Sequence, residues 1–276
     1  MMISKNRHSE RETTAPETSS QTTPEVLRTI SVVIPCRNDG ALLERTLESL
    51  SLQTLAPDEI IVVDNASTDK TQEVAKKYGA RIIYESQPSV LRATVAGFDA
   101  ARSDVILRTD ADVVIPRDFI EQVHRVWNFA ELASGKSVIG ITGSARFELP
   151  GWKGDLISRI YLKAYQKAVG STLGHVPLFG TNCSILTSWW HEVRSHLDLS
   201  DPFVHDDMHI SFAVRANETI WLQDDLSLDT DPRPLLGLRQ LFTRFHRGFH
   251  TIFVNWRRVR QTADYWNGKI HEPQLG

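Results

Sequence analysis

Short β-branched runs alternate with helical spacing of apolar residues over the first half of the chain. Apolar runs at residues 30–35, 59–63, 81–84 and 104–107 predict four strands. Residues 41–52, 67–78 and 89–101 carry the helical spacing, and Ser67, Thr68 or Asp69 can cap the second of these helices. Alternation with short connections predicts an α/β domain whose mostly parallel central sheet is flanked by helices.

The second half of the chain shows longer and less regular patterns. Residues 138–147 predict a strand, and residues 152–169 predict an amphipathic helix that either packs on the core or faces an acceptor or a membrane. Residues 220–222 predict a short edge strand. We interpret the aspartates that follow as an acidic loop, namely Asp224, Asp225, Asp229 and Asp231.

The last part of the chain combines a hydrophobic face with a basic face. Residues 235–259 place Leu, Phe and Trp side chains at helical spacing and interleave them with arginines. Two roles remain open for this predicted helix. It either packs back on the preceding domain or lies on an anionic membrane surface.

Composition and charge narrow the class of protein. With 276 residues, 41% of them hydrophobic and 24% charged, the chain has the composition of a globular domain. A net charge of −3 gives no basic field of the kind that binds nucleic acid. Cys36 and Cys183 form neither a disulfide framework nor a cysteine zinc site, and no apolar run reaches the ~20 residues of a membrane span. We therefore expect a cytoplasmic protein whose contact with a membrane, if any, is peripheral.

Two aspartates stand where the fourth predicted strand ends. Asp110 and Asp112, the first carboxylate pair, are separated by one residue, and Pro116 follows soon after. Ligands bind at the carboxyl ends of strands in open α/β sheets. Paired carboxylates at such an end suit a hard divalent cation that in turn holds phosphate oxygens.

Four motifs in order resemble the nucleotide-sugar half of family 2 glycosyltransferases with the GT-A fold. They are Val-Val-Ile-Pro-Cys-Arg-Asn at residues 32–38, Ile-Ile-Val-Val-Asp-Asn-Ala-Ser-Thr-Asp at residues 60–69, Arg92 ahead of Ala96 and Gly97, and Thr-Asp-Ala-Asp at residues 109–112. The resemblance implies a GT-A-type nucleotide-diphospho-sugar transferase fold. It also implies a nucleotide diphosphate sugar as donor and Mg or Mn as cofactor.

The same resemblance assigns residues to the donor site. Arg92 would approach the diphosphate, Asp110 the ribose or a metal-bound water, and Asp112 the metal. Asn65 stands where some members carry a second acid that meets the base, so the identity of the nucleotide stays open. The remaining donor-site residues that the resemblance implies are Pro35, Arg37, Asp64, Gly180 and Asn182. His246 or His250 is a further candidate for the metal or the donor phosphates, as a C-terminal histidine is in some similar enzymes.

A second carboxylate pair, Asp206 and Asp207, resembles the acidic pair at a helix start in this family. Inverting glycosyl transfer needs a general base that takes the proton of the acceptor hydroxyl. We assign that role to Asp207. Asp206 would hold the acceptor or orient Asp207, and repulsion between the two carboxylates can raise one pKa.

Taken together, these assignments divide the chain into three parts. We expect a disordered tail at residues 1–28, a catalytic domain at 29–232 and a basic amphipathic segment at 233–276. Within the domain, residues 29–119 form the nucleotide-sugar half and 120–232 the acceptor half. The expected acceptor is a carbohydrate or a lipid-linked molecule in cell-envelope polysaccharide or glycolipid synthesis.

Three other interpretations remain. His205 and His209 have the i, i+4 spacing of a zinc protease helix, with Asp in place of Glu. A nucleotidyltransferase would need a glycine-rich, lysine-containing phosphate loop after the first strand, and residues 36–43 offer none. A non-catalytic relative that only binds nucleotide sugars is the third.

Overall fold

The computed structural model of the chain describes residues 28–233 and 242–256. The predicted tail lies outside this part except for residue 28, and so do residues 234–241 and 257–276 of the predicted C-terminal segment.

Eight strands in the described residues form one sheet, in the order β3-β2-β1-β4-β7-β6-β8-β5. The strands are β1 (Ile30–Cys36), β2 (Glu59–Asp64), β3 (Arg81–Tyr84), β4 (Val105–Thr109), β5 (Val113–Val114), β6 (Ser137–Phe147), β7 (Asn182–Leu186) and β8 (Glu218–Thr230). The helices are α1 (Gly40–Ser51), α2 (Thr71–Lys77), α3 (Val90–Ala100), α4 (Phe119–Glu131), α5 (Trp152–Leu173), α6 (Thr187–Val193) and α7 (Asp206–Ser211). Residues 242–256 are also helical.

The first four strands form the parallel half of the sheet, as predicted. β1 pairs in parallel with β2 and β4, and β2 pairs in parallel with β3. β7 is antiparallel to both β4 and β6, so the whole sheet is mixed. Because β1, β2 and β4 run in the same direction, the loops after Cys36, Asp64 and Thr109 meet at one edge of the sheet.

Apolar side chains cover the sheet on both faces. Val32 and Leu107 belong to the cluster that includes α1 and α4, whereas Val33 and Ile106 belong to the cluster that includes α3 and α6. Alternate strand residues point to opposite faces, which explains the division. α3 packs closely on its face, since a Cβ atom at Gly97 would lie 2.3 Å from Val33 Cγ1.

Two local predictions are wrong. β8 extends over thirteen residues, so most of the predicted acidic loop is part of the same strand as residues 220–222. Residues 220–222 pair only with β6, as an edge strand does, and β5 pairs only with Asp229 and Thr230. The pairing of β8 with β6 shifts between Thr142 and Ser144, and the exposed Asp224 and Asp225 occupy this bulge. The second helix begins at Thr71, later than the predicted residue 67. Asp69, one of the three predicted caps, lies just before it and accepts the Thr71 N–H through Oδ1 at 3.0 Å.

The helix at residues 242–256 packs through its polar side. Thr251 and Asn255 are buried, and the Thr251 hydroxyl accepts a hydrogen bond from the His205 N–H at 2.9 Å. The aromatic residues on the other face are 55–73% exposed, namely Phe242, Phe245, Phe249, Phe253 and Trp256. The helix therefore packs on the domain through its polar face and not through the hydrophobic face that the sequence pattern suggested.

Candidate active site

Two loops at the carboxyl ends of β1 and β2 are tied together by side-chain hydrogen bonds. Asn38 Oδ1 accepts from the Thr68 N–H at 2.7 Å, and Asp69 Oδ2 accepts from the Gly40 N–H at 2.9 Å. Asn38 has a φ of 55°, in the left-handed region that asparagine tolerates better than most residues. Arg37 is exposed on this rim, and Pro35 is half-buried at the end of β1.

Asp64 and Asn65 lie at the predicted edge, and their side chains shape the loops. Asp64 Oδ1 accepts from the Ser67 N–H at 2.9 Å, and Oδ2 accepts from the Gln72 side chain at 2.6 Å. The Asn65 amide donates to the carbonyl oxygens of residues 85 and 87, and its Oδ1 accepts from the Ser89 N–H at 2.8 Å. Both side chains are buried.

The first turn of α3 joins the same edge. Ser89 caps α3 by accepting from the Arg92 N–H, and the Ser89 N–H is held by Asn65. Arg92 is half-buried in that first turn. The fold therefore brings Arg92 next to the loop that follows β2.

The first carboxylate pair follows β4. Asp110 Oδ1 pairs with Arg108 Nη1 at 2.7 Å, and Oδ2 accepts from the Thr181 hydroxyl at 2.7 Å. Burial, together with the charge of Asp110, raises the pKa of Asp112 to about 6. An acid with such a pKa becomes protonated below about pH 6, so cation binding to Asp112 should weaken below that pH.

The donor set at this pair fits Mg²⁺ or Mn²⁺. Both cations prefer oxygen ligands, and Mg²⁺ is commonly held by one or two carboxylates while water and substrate phosphates complete its shell. In residues 28–233 and 242–256, no group of three or more His, Cys, Asp or Glu side chains is arranged to hold a metal. A cation at Asp110 and Asp112 would therefore depend on the donor for part of its coordination.

The second carboxylate pair begins α7, and its two members have different surroundings. Asp206 is buried, accepts from the Thr94 hydroxyl at 2.6 Å and pairs with Arg108 Nη2 at 3.1 Å. Asp207 Oδ2 accepts from the Gly180 N–H at 2.9 Å and from the Tyr165 hydroxyl at 3.2 Å.

These surroundings separate the pKa values of the pair. Burial opposes ionisation of Asp206, but the Arg108 guanidinium and the Thr94 hydroxyl outweigh it and hold the pKa of Asp206 below its ordinary value. Burial and the neighbouring charge of Asp206 raise the pKa of Asp207. Asp207 is thus the more basic carboxylate, as a proton acceptor should be.

Arg108 connects the two carboxylate pairs, and the sequence analysis missed it. Its buried guanidinium contacts Asp110 through Nη1 and Asp206 through Nη2. The signal was present, because an arginine in an otherwise apolar strand needs a buried anionic partner. Thr94, Tyr165 and Thr181 were also missed, and their sequence surroundings gave no comparable signal.

Comparison with known proteins identifies the family. Residues 31–180, more than half of the chain, match the model of glycosyl transferase family 2. The chain belongs to glycosyl transferase family 2. Its resemblance to that family, first seen in four short motifs, is confirmed.

Two curated relatives show what the chain is similar to. An undecaprenyl-phosphate 4-deoxy-4-formamido-L-arabinose transferase of Serratia proteamaculans is 31% identical over 161 residues, covering 54% of this chain and 47% of that protein. A glucosyl-3-phosphoglycerate synthase of Mycobacterium tuberculosis is 31% identical over 120 residues, covering 40% of this chain and 36% of that protein. The matched part thus spans half or less of these relatives.

Solved structures confirm the predicted GT-A-type fold. A mannosyltransferase from Pyrobaculum calidifontis in complex with GDP-Man and Mn²⁺ has a TM-score of 0.62 at 17% identity, covering 84% of this chain and 64% of that chain. Glucosyl-3-phosphoglycerate synthase from Mycobacterium tuberculosis in complex with Mg²⁺ and UDP has a TM-score of 0.52 at 25% identity. The match covers 80% of this chain and 79% of that chain.

Gly180 and Asn182, which the resemblance assigns to the donor site, both have structural partners. A Cβ atom at Gly180 would lie 2.8 Å from Arg108 Nη1 and 3.3 Å from Asp207 Cβ, so a larger residue would displace the guanidinium that joins the two carboxylate pairs. The buried Asn182 amide donates to the carbonyl oxygens of Ser144 and Leu226, both at 2.8 Å. Its nitrogen therefore links β7 to β6 and to β8, the strand beyond β6.

The structure does not bring His250 to the first carboxylate pair. His250 Nε2 lies 2.7 Å from Asp201 Oδ2, in the contact between the helix at 242–256 and the loop before α7. We therefore leave His250 out of the proposed cation site. The zinc interpretation gains no support either, since among the described residues no third ligand joins His205 and His209.

Proposed function

We propose that this chain transfers a sugar from a nucleotide diphosphate sugar to a hydroxyl acceptor with inversion, and that it requires Mg²⁺ or Mn²⁺. The observation that carries the proposal is the placement of two carboxylate pairs on either side of the buried Arg108 guanidinium. One pair suits the charge of the leaving diphosphate, and the other suits the proton of the attacking hydroxyl. Inverting transfer needs both functions on opposite sides of the sugar.

The donor side combines the loops after β1 and β2 with α3 and the first carboxylate pair. Asp112 and Asp110 would hold the cation, which when bound supplies positive charge to the departing diphosphate. Arg37 and Arg92 reach this edge as cations for the nucleotide. Asp64 and Asn65 would act by fixing the shape of the base-binding loops, since their polar atoms are engaged within the protein.

On the acceptor side, Asp207 takes the proton. Three hydrogen bonds orient its carboxylate, from Gly180, Tyr165 and the Met208 N–H. Asp206 stays ionised beside Arg108 and thereby keeps Asp207 basic. The expected acceptor is a carbohydrate or a lipid-linked hydroxyl compound, and one similar protein is named as an undecaprenyl-phosphate transferase.

A thermal-shift panel of nucleotide sugars with and without Mn²⁺ tests this function and identifies the donor. A ligand at about 100 times its Kd stabilises the native state by about 2.7 kcal/mol. For a domain of this size that raises the midpoint by about 5–10 °C. We expect one donor class to produce this shift with Mn²⁺ and not with EDTA. A shift of equal size in EDTA would contradict the metal requirement, and no shift with any donor would contradict the function.

We also propose that the helix at 242–256 contacts an anionic membrane. Its aromatic side chains follow a spacing of 3, 4, 4 and 3 residues and project away from the domain. The exposed Arg244 adds positive charge, and the sequence continues with Arg257, Arg258 and Arg260. Aromatic and basic side chains together are typical of helices that lie in the membrane interface. None of the described helices is long and apolar enough to cross a bilayer.

Flotation with vesicles tests the membrane contact. The wild-type chain should float with phosphatidylcholine vesicles that contain phosphatidylglycerol, and removing two Phe side chains that the membrane would bury should cost several kcal/mol. The double variant F245S/F249S is therefore expected to bind at least about tenfold more weakly. F129S removes a Phe that is 67% exposed on α4 and serves as the control. Equal losses in both variants, or no flotation of the wild type, would rule out this surface.

A further inference from the structure

Arg233 brings a guanidinium to the carboxylate that we assign to the cation. Its Nη2 lies 3.1 Å from Asp112 Oδ2, its Nη1 lies 2.9 Å from Asp39 Oδ1, and its Nε lies 3.0 Å from Asp231 Oδ1. These carboxylates come from the loop after β1, the loop after β4 and the segment after β8. One side chain thus neutralises acids from three parts of the chain at the donor edge.

The backbone holds Arg233 beside Asp112, and its side chain is partly open to solvent. The Asp231 N–H donates to the Asp112 carbonyl oxygen at 3.0 Å, and the Arg233 N–H donates to Asp231 Oδ1 at 2.8 Å. The Arg233 side chain is 47% exposed. A rotation of the side chain toward solvent would separate the guanidinium from Asp112 while the backbone hydrogen bonds of the turn stay in place.

A guanidinium and a divalent cation compete for Asp112. A Mg²⁺ ion binds a carboxylate oxygen at about 2.1 Å. With Arg233 in place, its guanidinium would lie within about 5 Å of that ion and repel it. Either the guanidinium or the cation is enough to neutralise Asp112. Binding of the cation therefore favours a position of Arg233 away from Asp112.

The anion nearest to a displaced Arg233 would be the diphosphate of the donor. A cation held by Asp112 shares phosphate oxygens with the donor, which brings the diphosphate to the place that Arg233 leaves. The planar guanidinium fork matches phosphate oxygens well. Arg233 would then move from one anion to another without losing its charge compensation.

We propose that Arg233 is an exchangeable counter-ion, which neutralises Asp112 before the cation binds and passes to the donor diphosphate once the cation occupies that carboxylate. The proposal rests on the proposed function, because it assumes a cation and a diphosphate at this edge. It predicts that the cation binds weakly when no nucleotide is present. It also makes the cation and the nucleotide bind cooperatively.

Mn²⁺ titrations followed by the EPR signal of the free ion test the exchange. Wild type and R233Q are compared without nucleotide and with UDP or GDP. Without nucleotide, R233Q is expected to bind Mn²⁺ about fivefold or more tightly, in the usual range of coupling between sites. Addition of the nucleoside diphosphate should tighten Mn²⁺ binding less in R233Q than in wild type, because the variant has no guanidinium to offer the diphosphate.

R146Q is the matched control. Arg146 is 55% exposed and makes two hydrogen bonds to Asp229 on β8, so its loss changes the net charge equally without touching Asp112. Its Mn²⁺ affinity should equal that of wild type. Unchanged or weaker Mn²⁺ binding by R233Q, or equal tightening in R146Q, would overturn the proposal. If D112N instead binds Mn²⁺ like wild type, the cation site itself is misplaced, which is a separate failure of the proposed function.

Discussion

Replacing Asp207 with asparagine is expected to lower the rate of sugar transfer by roughly 100- to 10,000-fold, the usual contribution of a general base. The amide of asparagine cannot take the proton of the acceptor hydroxyl. Donor binding should remain close to that of wild type, because Asp207 lies across Arg108 from the first carboxylate pair. The measurement is the initial rate of nucleotide release with the donor that the thermal-shift panel identifies.

The fold of D207N should survive the substitution. The new amide loses part of the hydrogen bonding from Gly180, Tyr165 and Met208, which costs about 1–3 kcal/mol. The variant also loses a charge next to Asp206, and this offsets part of the cost, since the pKa of Asp207 is raised by that neighbour. D229N, at a half-buried aspartate of β8 that pairs with Arg146, is the control and should keep its rate. A D207N enzyme with wild-type turnover would show that another group is the base.

The second large effect is expected for Asp112→Asn. Removing this charge should weaken Mn²⁺ binding and abolish the Mn²⁺-dependent stabilisation by the donor. Metal ions stabilise developing charge by several kcal/mol, so transfer should fall by at least about 100-fold. The measurements are Mn²⁺ affinity by titration calorimetry and the rate of nucleotide release.

D118N provides the comparison for D112N. Asp118 is an exposed aspartate just before α4 that makes no capping hydrogen bond. The D118N substitution removes one negative charge, as D112N does, at a position six residues further along the chain, and it should leave the Mn²⁺ affinity unchanged. D112N should also be at least as stable as wild type without metal, because burial and Asp110 make the ionised Asp112 unfavourable. A D112N protein that binds Mn²⁺ and donor normally would refute the assignment of Asp112.

Local patterns in the sequence were enough to predict the parallel half of the fold. β1, β2 and β4 are short apolar runs followed by polar loops, and both features depend on neighbours in the chain. The positions of Asp110 and Asp112 followed directly, since a strand end fixes where the next residues lie. The acid pair at the start of α7 was located by its motif.

Contacts between distant segments could not be predicted in the same way. Arg108 meets Asp206, and Thr94 meets Asp206, only because the sheet and α3 bring them together. β8 looked like a short strand and a loop, since its bulge interrupts the alternation of buried and exposed residues. The helix at 242–256 shows that a hydrophobic face predicted from the sequence does not determine which side of a helix packs on the domain.

Anomalous diffraction at the manganese edge, from crystals grown with Mn²⁺ and the nucleoside diphosphate of the identified donor, tests the central assignment most directly. The proposed function predicts a manganese peak that joins the Asp112 carboxylate to the diphosphate, with Asp207 on the far side of Arg108. It also predicts the nucleotide at the loops after β1 and β2. A manganese peak away from Asp112, or a nucleotide bound away from those loops, would contradict it.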